Sequence, residues 1–420
     1  MLRKLGYGAR LVRDFNELNI LRFIKDFGPL SRAQLSKKYK ISKATVSEIV
    51  AKLLETGFVK EVGMGKSSKV GGRKPILLEF NPLSGYALGL EIKRDHARIA
   101  LTDLNARIHR HDTIHYPRGT DLITILKRIF EYIDEYQNIK WVRYGQAMGI
   151  GVAIPGLVDY KRGFILESDS HKNWEGVEIA SIIEERFNIE TVIENDVKAI
   201  TFGECRFGNG RNSRDMVFLW IGDGIGAGIV INGDLYRGVS ASAGEVGYFD
   251  VGYAIRDGAE FRRLSRNGHR NFGDILSQSV LISAARKGIK ENVKTELCLE
   301  NLGTDEIFIK AQEGDPLALE IVSEYAGLVG LLCINLINTL NPEVLLIGGE
   351  PFAYNPFLLE LIRERINKDA LHTPIMAVRL QHAALKECAA VLGAVGLVLD
   401  DIFYADQLNL ERYRTIFSRA

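Results

Sequence analysis

SKATVSEIVAKLLETG, residues 42–57, decides how the chain is read. Ser42 carries the short polar side chain that caps a helix N-terminus, and Val46, Ile49, Val50, Leu53 and Leu54 recur at helical spacing as one apolar stripe. Gly57 permits a left-handed exit and closes the segment. The first turn presents Ser42, Lys43, Ala44, Thr45 and Ser47 on or near the open face. Short polar groups with one cation suit a DNA major groove. A shorter helix, about Ser31 to Lys38, precedes it across a turn through Tyr39–Ile41. An ordinary surface helix pair would carry the same stripe, so the stripe alone does not establish DNA binding.

Charge separates the two readings. Residues 1–80 hold 17 Lys and Arg against 7 Asp and Glu, a net of +10, while the whole chain is +1 and residues 81–420 therefore carry −9. A basic head on an acidic body suits a head that docks on phosphates and a body that does not. A first helix is expected from Arg13 to Asp26, with Leu18, Ile20, Leu21, Phe23 and Ile24 apolar and Gly28-Pro29 as its stop. Phe58–Val62 and Pro75–Phe80 read as two strands of a hairpin enclosing GMGKSSKVGGRK, residues 63–74, which is too polar and glycine-rich to pack. The first 80 residues are thus expected to form a winged helix-turn-helix. Arg73 and Lys74 at the base of its basic wing are candidates for phosphate or minor-groove contact.

No signal peptide and no apolar run of transmembrane length is read, which favours a cytoplasmic chain without a membrane partner. The four cysteines, Cys205, Cys298, Cys333 and Cys388, lack metal-ligand spacing and suit a reduced compartment.

From Tyr86 the pattern changes. Tyr86–Ile92 and Ala97–Asp103 read as a hairpin, with a third strand near Ala106–His111, a helix near Leu122–Tyr136 and a strand over Gln146–Ile154. A second cycle starts at Met216 with MVFLWIG, a glycine-rich turn and AGIVING, and INLINTLNPEVLLIGG later joins a helix to a buried strand. Alternation of this kind predicts two α/β lobes. The expected division is 1–80 for the DNA-binding domain, 81–200 and 201–385 for the two lobes, and 386–420 for a helical segment packing back on the first lobe.

The hairpin, glycine turn and crossover resemble the ribonuclease H-like fold of sugar kinases and actin. More closely, the chain resembles the ROK family of repressors, open reading frames and sugar kinases. The matching stretches are GGRKP at 71–75, GVAIPGLVD at 151–159, NWEG at 173–176, ENDVKA at 194–199, GDGIGAGIVINGDLYRG at 222–238 and AGEVG at 243–247. The resemblance implies an α/β body that binds a monosaccharide through Asn195 and Asp196, with Glu245 and Asn173 in the same pocket. An amide and a carboxylate can serve vicinal hydroxyls, although the same pair could simply cap the helix starting near Val197. Xylose and glucose are the sugars the resemblance suggests. Double-stranded operator DNA and a homodimer or homotetramer are the expected partners, and Leu11, Phe15 and Leu18 are candidates for a mechanical link between head and body.

Three departures bear on activity. Where family kinases have a DxGGT phosphate loop, this chain has Glu91-Ile92-Lys93-Arg94-Asp95, without the glycines that let a backbone approach a polyphosphate. Asp223 replaces a threonine in the second loop. Tyr248 stands where the family places a histidine that holds zinc and touches sugar, and no cysteine follows it within the next 24 residues. A repressor without cofactor, metal or kinase activity is the expectation, with an ATP-dependent sugar kinase as the alternative. Tyr248 is a candidate sugar contact, and Asp274 or Glu260 a candidate to complete the shell.

Overall fold

The computed structural model describes residues 9–65, 74–168, 172–222, 224–251, 261–264, 270–354 and 357–404. Arg73, Asp223 and Glu260, singled out above, lie outside them. The chain divides into two units, Met1–Glu194 with Ala394–Ala420, and Asn195–Gly393. Head and first lobe therefore belong to one unit. The breaks fall after strand residue Glu194 and inside the last helix, rather than at 200 and 385.

In the first unit, α1 (Ala9–Phe27), α2 (Arg32–Tyr39) and α3 (Lys43–Glu55) pack with a small sheet of β1 (Leu30–Ser31), β2 (Val59–Met64) and β3 (Ile76–Phe80), ordered β1-β3-β2. Val46, Ile49, Val50 and Leu53 bury the α3 stripe against α1 and α2, while Leu54 is only half-buried. Lys52 reaches the buried Glu17 of α1 at 2.8 Å, a tie that periodicity does not reveal. Leu18 is buried; Leu11 and Phe15 are half-buried.

The lobe that follows has β4 (Gly85–Ile92), β5 (His96–Asp103), β6 (Ile108–His115), α4 (Leu122–Gln137), α5 (Lys140–Tyr144), β7 (Gln146–Ile154), the small hairpin β8 (Leu157–Asp159) and β9 (Phe164–Glu167), α6 (Ile179–Phe187) and β10 (Thr191–Asn195). The sheet order is β10-β7-β4-β5-β6. β6 starts two residues later than expected because the Asp103 carboxylate accepts the backbone N–H groups of Asn105 and Arg107, turning the chain with Ala106 at φ 58°. The last helix, Ala389–Phe403, returns to this unit from Ala394 on. Its end meets the head: the Phe403 ring lies 5.8 Å from that of Phe80, and the Tyr404 hydroxyl donates to Asp26 at 2.7 Å.

The second unit repeats the plan. α7 (Asp196–Phe207) is followed by β11 (Met216–Ile221), β12 (Ile225–Ile231), β13 (Asp234–Tyr236), β14 (Val344–Gly348) and β15 (Arg379–His382), ordered β13-β12-β11-β14-β15. In each sheet the first three strands form an antiparallel meander and the fourth pairs in parallel with the first. The core of this unit is organised around the helix Pro316–Leu340. That helix is long and apolar enough to cross a bilayer, which corrects the expectation of no such run, but two thirds of its most apolar stretch is buried inside the protein. Leu328, Val329, Leu332 and Ile337 are fully enclosed there.

Candidate functional site

The head presents a capped helix to solvent. Ser42 accepts the Thr45 N–H at 3.1 Å, and its hydroxyl lies 2.8 Å from that of Thr45, so both side chains shape the cap. Ser47 donates back to the Lys43 carbonyl at 2.9 Å. Lys43, Ala44, Ser47 and also Glu48 are exposed, whereas Thr45 is half-buried. The turn into α3 is held by Lys40 at φ 55° and by Ser36 donating to the Ile41 carbonyl. Lys37 and Lys40 are exposed beside it and were passed over in the sequence, where only the KKYK run at 37–40 marked them. α2 begins with a capping box between Ser31 and Gln34. Lys74, at the wing base, is exposed. The arrangement places polar and basic groups at a helix N-terminus that is anchored from behind by its apolar face.

The body residues separate by unit. Asn173 belongs to the first, in a short 3-10 turn, and is exposed, while its neighbour Trp174 is buried and Glu175 accepts the Ser168 amide at 3.0 Å. In the second unit Asn195 caps α7, its side-chain Oδ1 accepting from Lys198 N–H at 3.0 Å. The Asp196 carboxylate accepts from Val197 N–H at 2.9 Å and from the Asn195 amide at 3.3 Å. A carboxylate on the first turn of a helix is favoured by the helix dipole. Capping is thus a real duty of this pair, and it fixes where both side chains stand. Val197 lies over Gly226 of β12, and on the same strand Ala227 N–H donates to the Gly244 carbonyl at 2.7 Å. Asp196 and Glu245 are each one residue from these contacts, so they flank the first residues of β12. Gly244 needs its φ of 93°, and a Cβ there would sit 1.7 Å from the Ala227 oxygen. Glu245 is half-buried and starts the 3-10 turn Val246–Tyr248, whose Tyr248 is 65% exposed. Asp274 is exposed on the next short helix, with its backbone N–H capped by Asn271.

The segment expected at the position of the kinase phosphate loop, Glu91–Asp95, ends β4 and turns tightly into β5. Lys93 N–H donates to the His96 carbonyl at 2.8 Å, and the Tyr116 hydroxyl donates to the Lys93 carbonyl at 2.8 Å. Glu91, 2% exposed, is paired with Arg98 at 2.6 Å and Lys93 at 3.4 Å. Asp95 accepts from the His96 ring at 2.7 Å, and the hydrogen bond to His96 holds its carboxyl below the usual range. Glu91, Lys93 and Asp95 are thus each engaged by neighbouring groups of this lobe.

The ROK family model matches residues 87–401 and the MarR family model residues 14–66. The chain belongs to the ROK family. It is 29% identical over 396 residues to the xylose repressor of Caldicellulosiruptor bescii, covering 93% of this chain and 97% of that one. It is 28% identical over 403 residues to the N-acetylglucosamine repressor of Escherichia coli O6:H1, covering 92% and 93% respectively. The crystal structure of a ROK family transcriptional regulator, a homologue of the E. coli MLC protein, superposes with a TM-score of 0.78 at 22% identity, covering 96% of this chain and 99% of that one. A winged helix-turn-helix joined to a two-lobed, sugar-kinase-type body is thus the fold of this ROK protein.

Among the described residues no three His, Cys, Asp or Glu side chains are grouped to hold a metal. Cys205 and Cys333 are buried, Cys298 is exposed, and burial pushes the Cys333 thiol up, which disfavours a metal-binding thiolate.

Proposed function

We propose that this protein is a cytoplasmic, sugar-responsive transcriptional repressor of carbohydrate-metabolism genes. The observation that carries the reading is the capped, exposed first turn of α3 on a head of net +10, joined to a ROK body. Ser42, Lys43, Ala44, Thr45 and Ser47 read the operator, with Arg73 and Lys74 on its backbone or minor groove. Asn195, Asp196, Glu245, Tyr248 and Asn173 bind a monosaccharide. Relatives named for xylose and for N-acetylglucosamine support a sugar effector and widen the choice beyond xylose and glucose. The protein acts as a homodimer or homotetramer, so that two heads meet two half-sites. Sugar releases DNA because it binds one conformation of the body more tightly than the other; equal affinity for both would shift nothing.

Sugar phosphorylation is the second reading within the family. Glu91 and its ion pairs argue against it, because a buried carboxylate bound to two cations and a closed turn leave no backbone cradle for phosphate.

Calorimetry with xylose, glucose and N-acetylglucosamine, paired with a gel shift of the upstream DNA with and without each sugar, tests the proposal. Binding of one sugar together with release of DNA is expected. A protein that binds no sugar, or that shows no sequence-preferring shift at low salt, overturns it. ADP formation in a coupled assay moves the reading to the kinase.

A further inference from the structure

We propose that Glu48 sets one base of the operator: its carboxylate accepts the exocyclic amine of cytosine, which makes C·G the required pair at one position of each half-site. This rests on the reading of α3 as the element that enters the major groove. On that helix Ala44, Ser47, Glu48 and Ala51 are exposed at spacings of three and four residues, opposite the buried Val46, Ile49, Val50 and Leu53. Ala44, Ser47 and Ala51 are small, so the bases can approach this face of the helix, and Glu48 is the long side chain in its midst. The polar side chains before it are engaged with the helix itself, Ser42 with Thr45 and Ser47 with the Lys43 carbonyl.

A glutamate four residues before a lysine ordinarily pairs with it along the helix surface. Lys52 stands at that place, but its ammonium lies 2.8 Å from the carboxylate of Glu17, which is only 2% exposed. A buried carboxylate keeps its cation against an exposed competitor, because losing the partner would leave a charge unpaired away from water. α1 therefore takes the helical partner of Glu48, and among the described residues no other cation pairs with it. The result is an uncompensated carboxylate on the exposed face of a head of net +10. Phosphate repels it, so it weakens binding wherever the bases offer no donor in return. Guanine presents two acceptors in the major groove, thymine an acceptor beside a methyl group, and adenine an amine beside the acceptor N7. Cytosine presents the N4 amine with no acceptor on its own major-groove edge. Glu48 thus gains at cytosine and is penalised at the other bases.

Selection from a randomised duplex library by the full-length protein tests this, with base preferences then measured by competition among single-pair variants of the selected site. Wild type should enrich a site with C·G at a fixed position of each half-site, preferred about tenfold over the other pairs. Glu48→Ala should lose the preference at that position alone and bind unrelated duplex DNA more tightly at low salt. Glu48→Gln, whose amide accepts from N6 and donates to N7 of adenine, should move the preference there to A·T. Both variants place a good helix former at an exposed position, so the head stays folded. Glu55→Ala removes an exposed charge from the last turn of the same helix. It should strengthen binding to unrelated DNA without altering any base preference, which separates base reading from charge alone. An unchanged base profile in Glu48→Ala overturns the proposal while leaving α3 as the reading element. A profile altered in the same way by Glu55→Ala also overturns it. Should wild type enrich no site at all, the reading of α3 itself fails, and this proposal with it.

Discussion

The β4–β5 and β11–β12 turns occupy the same place in two sheets of the same strand order, yet they are built from opposite materials. The first is Lys93-Arg94-Asp95, closed by charge and by backbone bonds within itself. The second begins GDGIGAG, and its glycines invite a phosphate-binding reading. The tertiary structure supplies another reason for one of them. A Cβ at Gly228 would meet the Thr201 side chain of α7 at 1.8 Å, so this glycine lets a helix lie directly on a strand. At Gly224 nothing lies within 4 Å. Two glycines four residues apart in one motif thus answer to different demands, and only substitution separates them.

The largest effect is expected at the packed position. Gly228→Ala drives a methyl group into Thr201 and should cost about 3 kcal/mol, measured by denaturant unfolding. A loss below about 1 kcal/mol would show that α7 can move away and that the close approach is not required. At the first turn, Glu91→Ala strands Arg98 and Lys93 beside a buried hole. Because both cations keep about a quarter of their side chains in solvent, the expected loss is about 2 kcal/mol rather than the 3–5 of a fully buried pair. No ADP formation should appear in this variant, and its appearance would mean that the charged turn had been suppressing a kinase.

Asp196→Asn tests the helix that rests on the second hairpin. The amide oxygen can still accept the Val197 N–H, so the cap survives, while the loss of charge should weaken sugar binding about tenfold. Operator binding without sugar should be unchanged, and more sugar should be needed for release. Unchanged sugar affinity would leave Asp196 as a cap alone. Gly224→Ala is the smallest effect, within about 0.5 kcal/mol and without influence on sugar binding. A larger loss of stability or sugar binding would restore a functional demand for the glycine at that turn.

The local elements were legible because their signals are local. Ser42 and Gly57 mark the ends of α3, the 3.6-residue stripe fixes its buried face, and Gly28-Pro29 ends α1 one residue beyond where it was placed. The body motifs led to the ROK family without any knowledge of contacts. Two expectations failed. No apolar run of transmembrane length is expected from the sequence, yet the helix Pro316–Leu340 has that length and composition, and only the surrounding core shows where its apolar surface goes. The start of β6 moved because a side chain captured two backbone amides, a choice that strand propensity does not weigh.

The sequence by itself determined the basic head, the capped helix, the charged Lys93-Arg94-Asp95 stretch and the tyrosine at 248, since each is a statement about residue type at a known place. The repetition of the strand order, the close approach behind Gly228 and the hold of Glu324 on Arg263 and Leu264 were decided only in the tertiary structure. These depend on which backbone groups remain unpaired and which volumes remain unfilled once distant segments meet. In the last case 61 residues separate the carboxylate from the amide it serves.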